Sequence, residues 1–235
     1  MPSKKSGQVS QRQTARKLQR GRGRPQATDP SGDDLRALIV AAARDVYAEH
    51  GYHGSTVEQI LQASGVSRPT FYRQFQDRRE VLDVVIEQTN DVLRDIVTEM
   101  TLQVNSLEEV ITASIDAYFE WGERIGALMG PIYREIYDPV SPASKHRQRL
   151  LGEFNQLFDG LMASLGRVRF EPIVYDTLLH VIEHVGHQAF WPKRQSPQQI
   201  SHRRQLISRI MFATLALPEE FEQLPSTEDL QVGCG

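Results

Sequence analysis

The chain has 235 residues, 40% of them hydrophobic and 24% charged, and a formal net charge of −3. That suits one large or two modest globular domains. No apolar run approaches the roughly 18 residues of a membrane span, and the N-terminal residues lack the apolar core of a secretory signal, so a cytoplasmic protein without a membrane partner is expected. The single cysteine, Cys234, has no mate for an internal disulfide and stands in no catalytic pattern. The charge is unevenly spread. Residues 1–28 hold eight of the 27 basic residues and none of the 30 acidic ones, so the remainder carries 19 against 30, or −11. A cationic arm on an acidic body points to a polyanion met by the arm, or to a solvated tail.

In chain order, residues 1–32 are polar and cannot bury enough surface to offset chain entropy, so a disordered basic arm is expected. From Asp33, apolar residues at Leu35, Leu38, Ile39, Ala42, Val46 and Tyr47 fall on one helical face, with Asp33 and Asp34 at the positive end and Gly51 as the stop. Thr56 to Gln59 reads as a capping box opening a short helix through Ala63. Gly65 sits in a tight turn, where glycine takes positive φ without steric cost. Ser67 caps a third short helix, Arg68 to about Phe75. Asp77 caps a longer one whose buried side is predicted as Leu82, Val85, Thr89, Val92, Ile96 and Met100.

Further starts follow at Ser106-Leu107-Glu108-Glu109, another capping box, and at Ser141-Pro142, Glu171-Pro172 and Ser196-Pro197, where proline occupies the first helical position. Trp191-Pro192 and Leu217-Pro218 read as helix ends. No alternating strand pattern appears. The prediction is an all-α fold of about nine helices. It comprises a three-helix helix-turn-helix domain at 33–82, a larger helical domain at 83–217 and a loose tail at 218–235.

Two short helices joined by a glycine-containing turn make a helix-turn-helix, whose second helix presents its N-terminal residues to base edges in the major groove. Arg68 can pair with guanine, Thr70 can meet base or phosphate, and Tyr72, Arg73 and Gln74 can reach phosphates or bases. Phe71 and Phe75 are better placed as core anchors. Backbone amides at the head of the fourth helix, beside Arg78 and Arg79, offer a phosphate site.

The stretch from Thr56 to Phe75, with Asp77-Arg78-Arg79-Glu80-Val81-Leu82 after it and His50-Gly51-Tyr52 before it, resembles the DNA-binding signature of the tetracycline-repressor (TetR) family over Asp33 to Leu82. The resemblance implies that Thr56 and Ser67 cap helices and touch the DNA backbone, and that Tyr72 and the basic residue Arg78 bind phosphate. It also implies a C-terminal domain for dimerisation and for a small-molecule effector. Two departures stand out. Pro69 replaces a small residue and removes one backbone donor, and Arg78 replaces the commoner lysine.

In the arm, Gly21-Arg22-Gly23-Arg24-Pro25 resembles an AT-hook core. Glycine would bring the backbone into a narrow minor groove, where Arg22 and Arg24 meet its negative potential. Sequence-blind attraction to phosphate is the simpler role for the same charges.

In the larger domain, aromatic residues cluster at Tyr118, Trp121, Tyr133, Tyr137, Phe154 and Phe158, with Tyr175 later. They suit either a lipophilic effector pocket or plain core. Gly130-Pro131 is expected to break a helix over 126–138. His180, His184 and His187 share a helix face beside Glu183. That spacing could serve a metal, but a pocket wall formed by His180 and His184 is preferred and no metal or cofactor is expected. The last two helices, about 172–191 and 197–217, carry apolar faces (Val174, Leu178, Val181, Ile182, Val185 and Ala189; Ile200, Ile207, Ile210, Met211 and Thr214). Paired with a two-fold mate, these faces would form a four-helix dimer interface.

No P-loop, dinucleotide fingerprint or Ser-His-Asp set is present, so a regulator rather than an enzyme is expected. The partners are then double-stranded DNA, a second copy of the chain and an effector. The alternative is an architectural protein of A·T-rich DNA whose arm dominates.

Overall fold

A computed structural model describes residues 31–223, which form nine α-helices and two short 3-10 turns, with no strand among them. The helices are α1 Gly32–Gly54, α2 Val57–Ser64, α3 Arg68–Gln74, α4 Arg78–Thr101, α5 Leu107–Ile125, α6 Met129–Ile136, α7 Pro142–Ser164, α8 Pro172–His187 and α9 Pro197–Leu215. None is long and apolar enough to cross a membrane.

The helix starts follow their cap residues. Thr56 accepts from the Gln59 amide while the Gln59 side chain accepts from the Thr56 amide, and Ser196 and Gln199 repeat the arrangement. Ser67, Asp77 and Ser141 cap α3, α4 and α7 through their side chains. A third capping box, Ser31 with Asp34, opens α1, so Ser31 and Gly32 belong to the first helix rather than to the arm. At Ser106 the box is only half made. The Glu109 amide donates to Ser106, but the Glu109 carboxylate accepts from Asn105. Gly51, at φ +69° and ψ 168°, kinks α1 without ending its helical turns.

Other expectations are corrected. Leu38 is exposed, and α1 turns Val40 and Ala43 inward beside Ile39, Ala42, Val46 and Tyr47. On α4 the buried side is Val81, Leu82, Val85, Ile86, Thr89, Leu93, Ile96 and Val97, and Met100 lies outside it. Gly130-Pro131 does not break a helix. Pro131 is the third residue of α6, where an amide has no intrahelical partner to lose, and the chain breaks instead at Gly126, φ +55°. The expected loose tail at 218–235 begins as a 3-10 turn, Pro218–Gln223, held by Glu220 against Arg167 at 2.6 Å; its remainder lies outside the described residues.

α1, α2 and α3 form a small head, and α4 to α9 form the body, with α4 packed against α5 and α7, and α5 against α8 and α9. The expected division after Leu82 falls inside α4, which runs unbroken from the head into the body. α1 also packs against α6, so the head meets the body at a second place.

Candidate functional site

The head owes its shape to its aromatics. Phe71 and Phe75 are buried under α1, and Arg36 lies 4.0 Å above the Phe75 ring while donating to the Gln74 carbonyl at 2.6 Å. With Phe71 fixed inward, α3 turns Arg68, Pro69, Tyr72 and Arg73 to solvent. Gly65 makes the turn between α2 and α3 at φ +69°, and its amide donates to the Leu61 carbonyl. The hydroxyls of Ser67 and Thr70 lie 2.8 Å apart, and Arg73 donates to Thr70 at 3.2 Å. Gln74 is half-buried beside α1, while Thr56 is exposed at the head of α2.

Further basic residues of the head are engaged within the chain, Arg79 donating to the Val140 carbonyl. Arg68 pairs with Glu58 across the turn, which holds both side chains charged. Arg78, expected at a phosphate, is turned inward. Its guanidinium lies 4.3 Å over the Tyr52 ring and donates to the carbonyls of Tyr52, at 2.6 Å, and Ser55. These carbonyls lie at the C-terminal end of α1, where the helix leaves acceptor capacity over, and a long cation from α4 takes it up. Tyr47 completes the join by donating to the Arg78 carbonyl at 3.0 Å. Arg22 and Arg24 of the arm lie outside the described residues.

The body holds a narrow cavity of about 70 Å³ between α4, α5, α7 and α8. Its walls are apolar, with Leu93, Val97, Leu150, Leu151, Phe154, Phe158, Leu179 and Ile182, and Tyr118 and Ser114 add hydroxyls. At one end Arg147 and Glu183 form an ion pair at 2.6 Å, with side chains only 13% and 16% exposed. Burial opposes the Arg147 charge, but the Glu183 carboxylate outweighs it and holds the guanidinium above its ordinary pKa. Tyr137 donates to Glu183 at 2.8 Å, and Arg147 lies 4.8 Å over its ring. His180 donates from Nδ1 to the Asp176 carbonyl, leaving Nε2 to accept from Arg147 at 2.7 Å.

Of the residues expected at an effector, Tyr118, Phe154 and Phe158 line this cavity. Tyr137 and His180 stand behind its polar end, and Tyr133 and His184 lie farther out, 3.2 Å apart. Trp121 is buried and donates to the Thr89 carbonyl at 2.8 Å. The three α8 histidines gather round no common point, because the His187 ring is stacked on Tyr133 at 3.5 Å while His180 faces Arg147. Arg147 escaped the sequence reading; only the neighbouring Glu183 on the histidine face hinted at a buried cation.

The faces expected at a dimer interface divide. Leu178, Ile182, Ala189, Ile207 and Met211 are buried within the chain, Val174, Val181, Val185, Ile200 and Ile210 are half-buried and Thr214 is exposed; outside the expected set, Ile173, Thr177 and Ala213 are also exposed on α8 and α9.

Residues 39–85 match the family described as bacterial regulatory proteins, tetR family. A transcriptional activator of Mycolicibacterium smegmatis, FasR, is 27% identical over 109 residues, covering 44% of this chain and 50% of that one. The repressor AcnR of Corynebacterium glutamicum is 30% identical over 81 residues, covering 34% and 40%. The chain thus spans about half or less of the curated relatives it matches. Among solved structures, a TetR-family regulator from Syntrophomonas wolfei superimposes with a TM-score of 0.64 at 15% identity, over 80% of this chain and 98% of that one. FadR of Bacillus subtilis in complex with stearoyl-CoA gives 0.62 at 16% identity, over 77% and 97%.

Proposed function

This chain carries a TetR-family DNA-binding domain on a helical body of TetR-like fold, and from that premise we propose that it is a transcription regulator whose DNA affinity is set by a lipophilic effector. The observation that carries the reading is the continuity of α4, which joins the head bearing exposed Tyr72 and Arg73 to the wall of the apolar cavity. Thr56, Ser67, Arg68, Thr70, Tyr72, Arg73 and Gln74 are the proposed DNA contacts, with Arg22 and Arg24 adding charge from the arm. Arg68 would exchange Glu58 for a guanine or a phosphate. Arg78 positions the head rather than touching DNA.

The effector would lie among Tyr118, Phe154 and Phe158. A cavity of about 70 Å³ is tight for a drug-sized ligand, whose pockets span about 300–1,000 Å³. Entry would therefore part α4 from α7 or open the Arg147–Glu183 end. Parting α4 from α7 would tilt α4 and with it the head, since α4 runs unbroken from one to the other. A ligand that prefers the parted form shifts the population towards it, and DNA that prefers the other form is released. Acyl compounds fit the apolar walls, and a neighbour in fold was solved with stearoyl-CoA. In a dimer joined through the exposed sides of α8 and α9, two heads would meet successive major grooves about 34–36 Å apart on a pseudo-palindrome.

Operator selection from random duplexes tests this, using the full chain and a form starting at Thr28 across a salt series. A palindromic motif kept by the shorter form with a shallower salt slope is expected. Enrichment of A·T-rich duplexes without symmetry, lost with the arm, would replace this reading by the architectural one.

A further inference from the structure

Where the head meets the body, three metal-type donors converge from two elements. His53 lies in the last turn of α1 beyond the Gly51 kink, Glu135 lies near the end of α6, and Asp138 lies just after it. One donor atom from each comes within 4.8 Å of the other two. His53 Nε2 is 3.3 Å from Glu135 Oε1 and 3.9 Å from Asp138 Oδ2.

Glu135 supplies an independent observation. Its side chain is only 5% exposed, and its second oxygen, Oε2, is buried without a hydrogen-bond partner. A buried carboxylate oxygen left so is costly, because desolvation is not offset by a bond. The pair with His53 does not remove that cost, since the imidazole is 73% exposed and reaches only Oε1.

We propose that His53, Glu135 and Asp138 bind a divalent transition-metal ion of the zinc type. The donor set of one imidazole and two carboxylates suits such ions. Bonds of about 2.0–2.2 Å in a tetrahedron place neighbouring donors roughly 3.3–3.6 Å apart. The His53–Glu135 separation already meets that figure; the Asp138 oxygen needs to close by a few tenths of an ångström towards His53, and the Glu135 and Asp138 oxygens, within 4.8 Å of each other, must close to the same spacing. His53, being exposed, is free to adjust, and a fourth position would be left for water. Asp138 is oriented from behind, as metal-bound carboxylates usually are, because its Oδ1 accepts from the Val140 amide at 2.9 Å. An ion there offsets the two carboxylate charges and bonds the end of α1 to α6. It would fix the head against the body at the end of α6, one residue from Tyr137, which donates to Glu183 of the cavity.

The test uses the full chain, stripped of metal, titrated with Zn²⁺ alone by calorimetry and with Co²⁺ by visible absorption. Neither readout depends on DNA or on an effector, so failure here leaves the regulatory reading intact. Wild type is expected to bind one equivalent of Zn²⁺ that His53→Ala and Asp138→Asn each weaken by at least the roughly 10–100-fold that losing a mere supporting contact costs, and to show the intense absorption of tetrahedral Co²⁺. His53→Ala changes an exposed side chain, and metal-free unfolding curves of both variants verify that they fold. Absence of a stoichiometric site in wild type, or wild-type affinity in both folded variants, would overturn the assignment.

Discussion

A β-carbon placed on Gly186 of α8 would lie 2.5 Å from Cε1 of Tyr118 on α5. The tyrosine ring therefore rests on bare backbone, with its hydroxyl donating to the Glu183 carbonyl at 3.2 Å. This contact brings α5 and α8 together and holds Tyr118, which lines the cavity. Glycine in a helix interior costs about 1 kcal/mol relative to alanine, yet overpacking a buried site costs about 1–3 kcal/mol. Because the ring is buried and tethered, overpacking is the larger effect. Gly186→Ala should lower stability by about 1 kcal/mol in urea unfolding. A stabilised variant would mean that Tyr118 has room to retreat.

The Arg147–Glu183 pair should be strongly coupled. Removing one partner of a buried pair costs about 3–5 kcal/mol, because the other charge is left uncompensated. The residual exposure of both side chains places Arg147→Met nearer 2 kcal/mol. Arg147→Met with Glu183→Met should recover most of that loss, since no charge is then stranded. A double-mutant cycle in urea decides the matter, and additive losses would mean that water already screens the pair.

On the head, Tyr72 and Arg73 are exposed while Phe71 is fully buried on the same short helix. Arg73→Ala should weaken binding to any duplex and make the salt slope shallower by about 1, without changing unfolding. Phe71→Ala should instead destabilise by about 3–5 kcal/mol through the cavity it leaves. Fluorescence anisotropy at several salt concentrations, beside thermal unfolding, separates the two. An unchanged salt slope for Arg73→Ala would remove that residue from the phosphate contacts.

The helix starts were legible because cap chemistry is local: Thr56 with Gln59 and Ser196 with Gln199 each act within three residues. The helix-turn-helix was legible for the same reason, since Gly65, Ser67 and Phe71 lie within seven positions. What escaped was long-range. The inward turn of Arg78 depends on the carbonyls of Tyr52 and Ser55, 26 and 23 residues away. The cavity depends on α7 packing against both α4 and α8, and Arg147 finds Glu183 across 36 residues. Gly130-Pro131 misled because proline's effect depends on its position within the helix, which here is set by the break at Gly126.

Acidification should weaken the α6–α8 contact through His187. Burial holds its pKa below the ordinary 6.5, although the His184 carbonyl at Nδ1 pulls the other way. The folded state therefore binds fewer protons than the unfolded state in the window from about 6.5 downward. Stability is then fully present above 6.5 and is lost as the pH falls towards the lowered value. The stacked Tyr133 ring, 3.5 Å away, shields the imidazole from water. His187→Phe keeps an aromatic partner for Tyr133 and removes the titration. Urea midpoints at pH 7.5 and 5.5 should fall less steeply for this variant than for wild type. Parallel losses in the two would show that the imidazole is hydrated and protonates freely in the folded chain.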